Sequence, residues 1–265
     1  MNLYLAGTES RQEQLERTDE KLKSMSLELV PFDLKKNKNL FEGVNILQSF
    51  YYVNDFTPVM IKHCKSFMLD SGAFTFFSSG KNVNWTEYVK KYASFINQYN
   101  VDLFYELDID VLIGYEKVLY YRKMLEDLTG KSPIPVWHKS RGKDNFYKMC
   151  EDYNYVAIGG IVSKEISPKE YDVFTPLINI AHKNNTKIHG LGFTNLKGLT
   201  KYKFDSVDST SWVSGNRFGA IYKFNGNTMI KYDKPKGTRL ADSQKVALHN
   251  FNEWVKFQKY AEKYL

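Results

Sequence analysis

At 265 residues, 43% hydrophobic and 25% charged, the chain is long enough to bury one sizeable core, and barrels of alternating strands and helices commonly have this length. The formal net charge is +7 and the pI about 9.0, a balance that suits a polyanionic partner and equally serves solubility. No stretch approaches the ~20 apolar residues of a membrane span, and the opening residues are too short for a signal peptide, so a cytoplasmic protein with no membrane partner is expected.

An apolar run at 2–6 is predicted to be the first strand, and a longer, ambiguous run follows at 45–53. Strands are predicted next at 66–69 and 103–107, separated by a helix over 85–99 that Asn84 can cap. A helix over 114–128, ending near Gly130, is followed by strands at 134–137 and 155–158. Ser167 and Pro168 open a helix running to about residue 183, with proline in its first turn. Strands at 187–191 and 204–207 complete a set of eight. Residues 218–232 read as a hairpin around Asn225-Gly226, and 243–264 as a final amphipathic helix.

Strands alternating with helices imply parallel pairing, and eight such units imply closure into an α/β, (β/α)8 TIM-like barrel. The expected architecture is a single domain over residues 1–265, with a C-terminal hairpin and helix; an open doubly wound sheet leaves a similar pattern in sequence. In parallel α/β proteins the loops after the strands form one rim that carries the chemistry. Here strand after strand ends in polar or glycine-bearing residues: Asp70-Ser71-Gly72 after the third, Glu106 to Asp110 after the fourth, Trp137-His138 after the fifth and Gly159-Gly160-Ile161 after the sixth. The seventh gives His189-Gly190-Leu191-Gly192, and the eighth Asp205-Ser206-Val207-Asp208. A single aspartate in such a place is an ordinary turn or helix cap. Several on one rim, with glycines and a histidine, describe a polar pocket in which a flat ligand can lie against backbone.

The two cysteines, Cys64 and Cys150, are far apart and in no metal-ligand spacing, and no phosphate-cradling glycine motif opens a helix. Neither a metal nor an organic cofactor is expected. A pocket rich in carboxylates can instead run displacement at an anomeric carbon, one carboxylate attacking the sugar while a second moves protons. A carboxylate pair of this kind equally fits glycoside or nucleoside hydrolysis.

Asp70-Ser71-Gly72-Ala73-Phe74 resembles the Asp-Ser-Gly-Gly-Phe signature of the queuine/archaeosine tRNA-guanine transglycosylases. Gly159-Gly160-Ile161 resembles their Gly-Gly-Leu strand end, and the segment from His189 to Gly192 their His-Leu-Met-Gly type. Residues Phe204 to Trp212 resemble the segment that carries their nucleophile. These elements occur in the family's order across residues 66–220. The resemblance implies a base-exchange pentosyltransferase in which Asp208 attacks C1′ and Asp70 is the base for the incoming heterocycle. Asp205 is the rival nucleophile, because a phenylalanine precedes it. The same resemblance implies that Asp108 reads the guanine-like edge, that Ser71, Gly159, Gly160, Ile161 and Leu191 line the base, and that His138 stands where the family has glutamine.

The chain lacks the cysteines of the tRNA enzymes' zinc subdomain and is shorter than those enzymes. It thereby resembles the zinc-free, DNA-acting branch of phages and bacteria, which inserts a 7-deazaguanine such as preQ0. DNA is the expected polymer and tRNA the alternative; a non-catalytic nucleic-acid-binding relative is a third reading. Lys139, Arg141 and Lys143 after the fifth strand, and Arg217 after the eighth, are expected to meet phosphates on the rim. Trp137 and Trp212 have two expected uses, stacking on an extruded base or packing in the barrel wall.

Overall fold

The computed structural model describes residues 1–8, 38–72, 75, 83–213, 218–234, 237 and 243–265. In a parallel sheet covered on both faces, strands are apolar along their whole length, alternate residues serving two separate cores. Strand β1 (Asn2–Ala6) does this: Leu3 and Leu5 join the outer core, while Tyr4 and Ala6 join a second cluster inside the barrel. It pairs in parallel with β2 (Asn45–Ser49) on one side and β8 (Ser206–Ser209) on the other. The ring continues through β3 (Ser66–Asp70) and β4 (Leu103–Phe104) one way, and through β7 (Lys187–Gly190), β6 (Tyr155–Ile158) and β5 (Val136–Trp137) the other.

The seam between β4 and β5 is closed by a parallel bridge from Tyr105 to Ile134, in which the Ile134 N–H donates to Phe104 (2.8 Å) and the Glu106 N–H to Ile134 (3.1 Å). Beyond that bridge a side chain takes over from the backbone. Glu106 Oε1 accepts the Val136 N–H at 2.8 Å, and its Oε2 accepts from Arg122 at 2.6 Å. Arg141 adds a contact to Oε1 at 3.2 Å. All three charged side chains are buried.

Helices cover the strands. After β2 comes α1 (Thr57–His63), and after β3 comes α2 (Trp85–Gln98), where the Asn84 side chain caps by accepting the Glu87 N–H at 3.2 Å. A short α3 (Asp110–Ile113) leads into α4 (Tyr115–Thr129), which ends as expected at Gly130 in the left-handed region (φ 65°). After β5 comes α5 (Lys143–Asp152). The helix expected from Ser167 divides into a 3-10 segment, Pro168–Val173, opened by a Ser167/Glu170 capping box, and then α6 (Phe174–Lys183). α7 (Leu196–Lys201) joins β7 to β8. The hairpin β9 (Ile221–Phe224) and β10 (Met229–Tyr232) follows, and α8 (Ser243–Tyr264) packs back on β1. There the buried Gln258 accepts the Asn45 N–H and donates to the carbonyls of Leu3 and Asn45. No described helix is long and apolar enough to cross a membrane.

Several boundaries differ from the periodicity; the fifth strand, for one, begins at Val136 and not at Ile134. The run at 45–53 stops being a strand at Ser49 and turns through a 3-10 segment, Phe50–Tyr52. The fourth strand keeps only two residues in its ladder with β3, and towards β5 the Glu106 carboxylate accepts the Val136 N–H. The eighth strand begins two residues later than expected, since the Asp205 side chain accepts the Ile188 N–H at 2.8 Å and ends the loop before the strand proper.

Replacing Glu106 by Gln keeps shape and volume but strips the charge shared by two buried guanidiniums. The substitution is expected to cost about 3–5 kcal/mol of stability in urea unfolding. A loss below about 1 kcal/mol, within the range of an exposed ion pair, would contradict the closure described here.

Candidate active site

The inward positions at the carboxyl ends of the strands form one mouth. Asp70 ends β3 in register with Ser49, and its Oδ2 accepts the Gly72 N–H at 2.9 Å. That turn requires glycine: Gly72 has φ 78°, and a Cβ there would stand 2.8 Å from Tyr51 Cβ and 2.9 Å from its nitrogen. Burial raises the Asp70 carboxyl to about 6; the Gly72 N–H opposes this, the charges of Asp108 and Asp208 reinforce it, and the Ser49 hydroxyl opposes it. Asp70 therefore changes charge near neutral pH, as a group that moves protons must.

Asp208 lies on the inward face of β8 and is 7% exposed. Its Oδ1 accepts the Gly192 N–H at 2.5 Å and lies 3.2 Å from His189 Nε2. Gly192 is again a required glycine, with φ 72° and a notional Cβ 2.4 Å from Val162. Asp205 sits at the opposite end of the barrel. It accepts from His182, at the end of α6, and from the first turn of β7, and its carbonyl accepts the Asn2 N–H. The two aspartates that compete in the sequence are thus separated by the length of a strand, and only Asp208 reaches the mouth.

Asp108 and His138 meet, but not as two independent readers of a ligand. His138 Nε2 is 2.8 Å from Asp108 Oδ1, and its Nδ1 is 3.0 Å from Glu165 Oε2. Burial alone would lower the imidazole pKa; the hydrogen bonds and charges of Asp108 and Glu165 outweigh it, against Arg141, and raise it to about 9. At neutral pH both ring nitrogens of His138 donate to carboxylates and neither is left to accept from a base. The Gly159-Gly160 strand end makes room for this pair. A Cβ at Gly159 would stand 2.8 Å from the His138 ring, and one at Gly160 (φ 77°) 2.8 Å from Glu165. These two glycines, expected to line a base, first of all house His138 and Glu165.

Arg141 corrects an expectation. Its side chain is 3% exposed, not on the rim, and donates to Asp110 (2.9 Å), Glu106 (3.2 Å), Asp108 (3.5 Å) and the Val136 carbonyl, with its guanidinium 4.5 Å from the centre of the Tyr115 ring. Buried Glu106 draws it inward, so it is spoken for before any phosphate arrives. Lys139 is exposed and pairs with Glu170 at 2.5 Å, Lys143 is exposed at the start of α5, and Arg217 lies outside the described residues, as do Ala73 and Phe74. Both tryptophans serve packing: Trp137 lies against Phe146, and Trp212 lies against Phe251 and donates to the Ala6 carbonyl.

Ser71 is fully buried, and its hydroxyl has no partner among the described residues. Ile161 is a core side chain, and Leu191 is partly buried against the interior cluster. Asp108, Asp110 and His138 bring one ligand atom each within 4.8 Å of one another, the spacing of a metal site. Arg141 already donates to both of these carboxylates. Glu165 was missed in the sequence, and no local signal marks it.

A carboxyl raised by folding binds a proton that the unfolded chain has lost, so its stabilising contribution is present below about pH 4 and disappears as pH rises through about 6. Asp70→Asn removes that loss. The variant is expected to be more stable than the parent at pH 7.5, by on the order of 1–2 kcal/mol in urea, and to match it near pH 4. Equal or lower stability at pH 7.5 would contradict the environment assigned to Asp70.

No family model and no curated protein matches the chain, and its function is to be read from the residues at the mouth.

Proposed function

We propose that the chain is a transglycosylase that replaces guanine in DNA by a 7-deazaguanine base through a covalent aspartyl–sugar intermediate. The observation that carries the reading is the meeting of Asp70 and Asp208 at one mouth while Asp205 lies at the barrel's other end. In the first half, Asp208 attacks C1′, the C1′–N9 bond breaks, and the departing guanine takes a proton from Asp70. In the second, Asp70 takes the N9 proton of the incoming base, N9 attacks C1′, and the Asp208 carboxylate leaves. Protons and charges balance over the cycle. A carboxyl near 6 suits both duties of Asp70, and two aspartates in unlike settings suit two roles.

The motif resemblance supports guanine as the base, with Asp108 as its reader. His138 holds Asp108 instead of reading the base itself. The net charge of +7 and the exposed Lys139 and Lys143 support a polyanionic partner. A target base in duplex DNA must be flipped out or presented on a single strand.

Incubation with labelled guanine and either duplex DNA or tRNA tests the reading. Incorporation into DNA is expected; incorporation into tRNA alone would move the activity to the tRNA branch, and release of free base without incorporation would make the protein a hydrolase. Asp208→Asn is expected to abolish the trapped protein–DNA adduct and to lower exchange by at least about 10³-fold. Asp70→Asn is expected to slow both formation of the adduct and its discharge to the incoming base. Exchange should also fall as pH rises through about 6 in the parent protein, because Asp70 then lacks the proton that it gives to the departing guanine. An adduct that survives Asp208→Asn but not Asp205→Asn would overturn the assignment.

A further inference from the structure

Beneath Asp208, inside the barrel, three more polar side chains join it in one chain of hydrogen bonds. His189 is fully buried, with Nε2 3.2 Å from Asp208 Oδ1 and Nδ1 2.5 Å from Ser206 Oγ. Ser206 Oγ bonds in turn to the phenol of Tyr155. The arrangement follows from register: His189 of β7 stands opposite Ser206 of β8, and strand alternation places Asp208 one layer higher on the same inward face. The rings of Tyr4 and Tyr105 stand at 6.2 and 5.7 Å from the imidazole and enclose it.

Apolar branched residues are the usual filling of a barrel interior. A buried histidine and serine and a partly buried tyrosine cost stability there unless each is satisfied by the others. Their hydrogens can be placed in one consistent sense. A carboxylate only accepts, so His189 Nε2 carries a hydrogen; Ser206 then donates to Nδ1 and accepts from the Tyr155 phenol.

We infer that Tyr155, Ser206 and His189 form a positioning relay for Asp208. Together with the Gly192 N–H, the relay fixes Oδ1 and leaves Oδ2 as the attacking oxygen. The inference rests on the reading of Asp208 as the nucleophile. While the sugar is attached through Oδ2, Oδ1 is an ester carbonyl oxygen and accepts weakly. When the Oδ2–C1′ bond breaks, its electron pair returns to the carboxylate, and the hydrogen bond from His189 strengthens as charge returns to Oδ1. No proton passes along the relay. His189 thus favours release of the sugar to the incoming base more than its capture.

Two measurements test this. In the ligand-free protein, nitrogen-15 NMR of the histidine rings, with the His189 signals identified by their loss in His189→Gln, should show the Nε2–H tautomer; the Nδ1–H tautomer would overturn the relay whether or not the protein is active. With DNA and a trapping base analogue, His189→Ala should form the adduct and then discharge it to an added base about 10²-fold more slowly than the parent. His189→Gln, which restores an N–H donor, should recover much of that rate. A folded His189→Ala protein that discharges at the parental rate would overturn the proposal, and so would a parent protein that forms no adduct, since Asp208 would then have no nucleophilic role for the relay to serve.

Discussion

Between its fourth and fifth strands the barrel has a single bridge of backbone pairing, and next to it the carboxylate of Glu106 carries the closure. Desolvating a carboxylate and two guanidiniums costs several kcal/mol for each ion unless the partners are close and their hydrogens used. Here they are. Glu106 accepts from Arg122, Arg141 and the Val136 N–H, so it ties α4, the loop after β5 and the strand edge into one unit. Arg141 then continues from the seam to Asp108 and Asp110, which makes the shape of one side of the mouth depend on how the barrel closes.

The mouth is in consequence electrically divided. On the side of the seam, Asp108 is matched by the cations His138 and Arg141. Asp70, on β3, accepts a backbone N–H and has no cation partner among the described residues, and burial raises its carboxyl. Asp208 is held by a backbone N–H and a histidine that belongs to the barrel interior. Three aspartates within one opening thereby acquire three different settings, and the proposed division into reader, proton carrier and nucleophile follows from those settings.

Much of this was readable in the residues. Alternating apolar runs and amphipathic stretches indicated the strands in their order, and Asn84 and Gly130 marked helix ends that the structure keeps. Glycines after the third, sixth and seventh strands marked places where side chains crowd the backbone. What local pattern cannot carry is a partner far along the chain. Arg141, four residues after the end of a strand, looks like a rim cation until Glu106 is seen buried 35 residues away. Glu165 becomes part of the site only because His138 folds over Gly159 to meet it. Asp205 and Asp208 part because Asp205 precedes β8, where its side chain accepts a backbone N–H from the neighbouring strand, while Asp208 lies towards the strand's carboxyl end.

The most direct test of the central claim is to locate the sugar on the protein. Protein trapped with DNA and a base analogue, digested and sequenced by tandem mass spectrometry, should carry the deoxyribose on the peptide containing Asp208, at that residue. Attachment at Asp205, at Asp70 or at any other side chain would contradict the account.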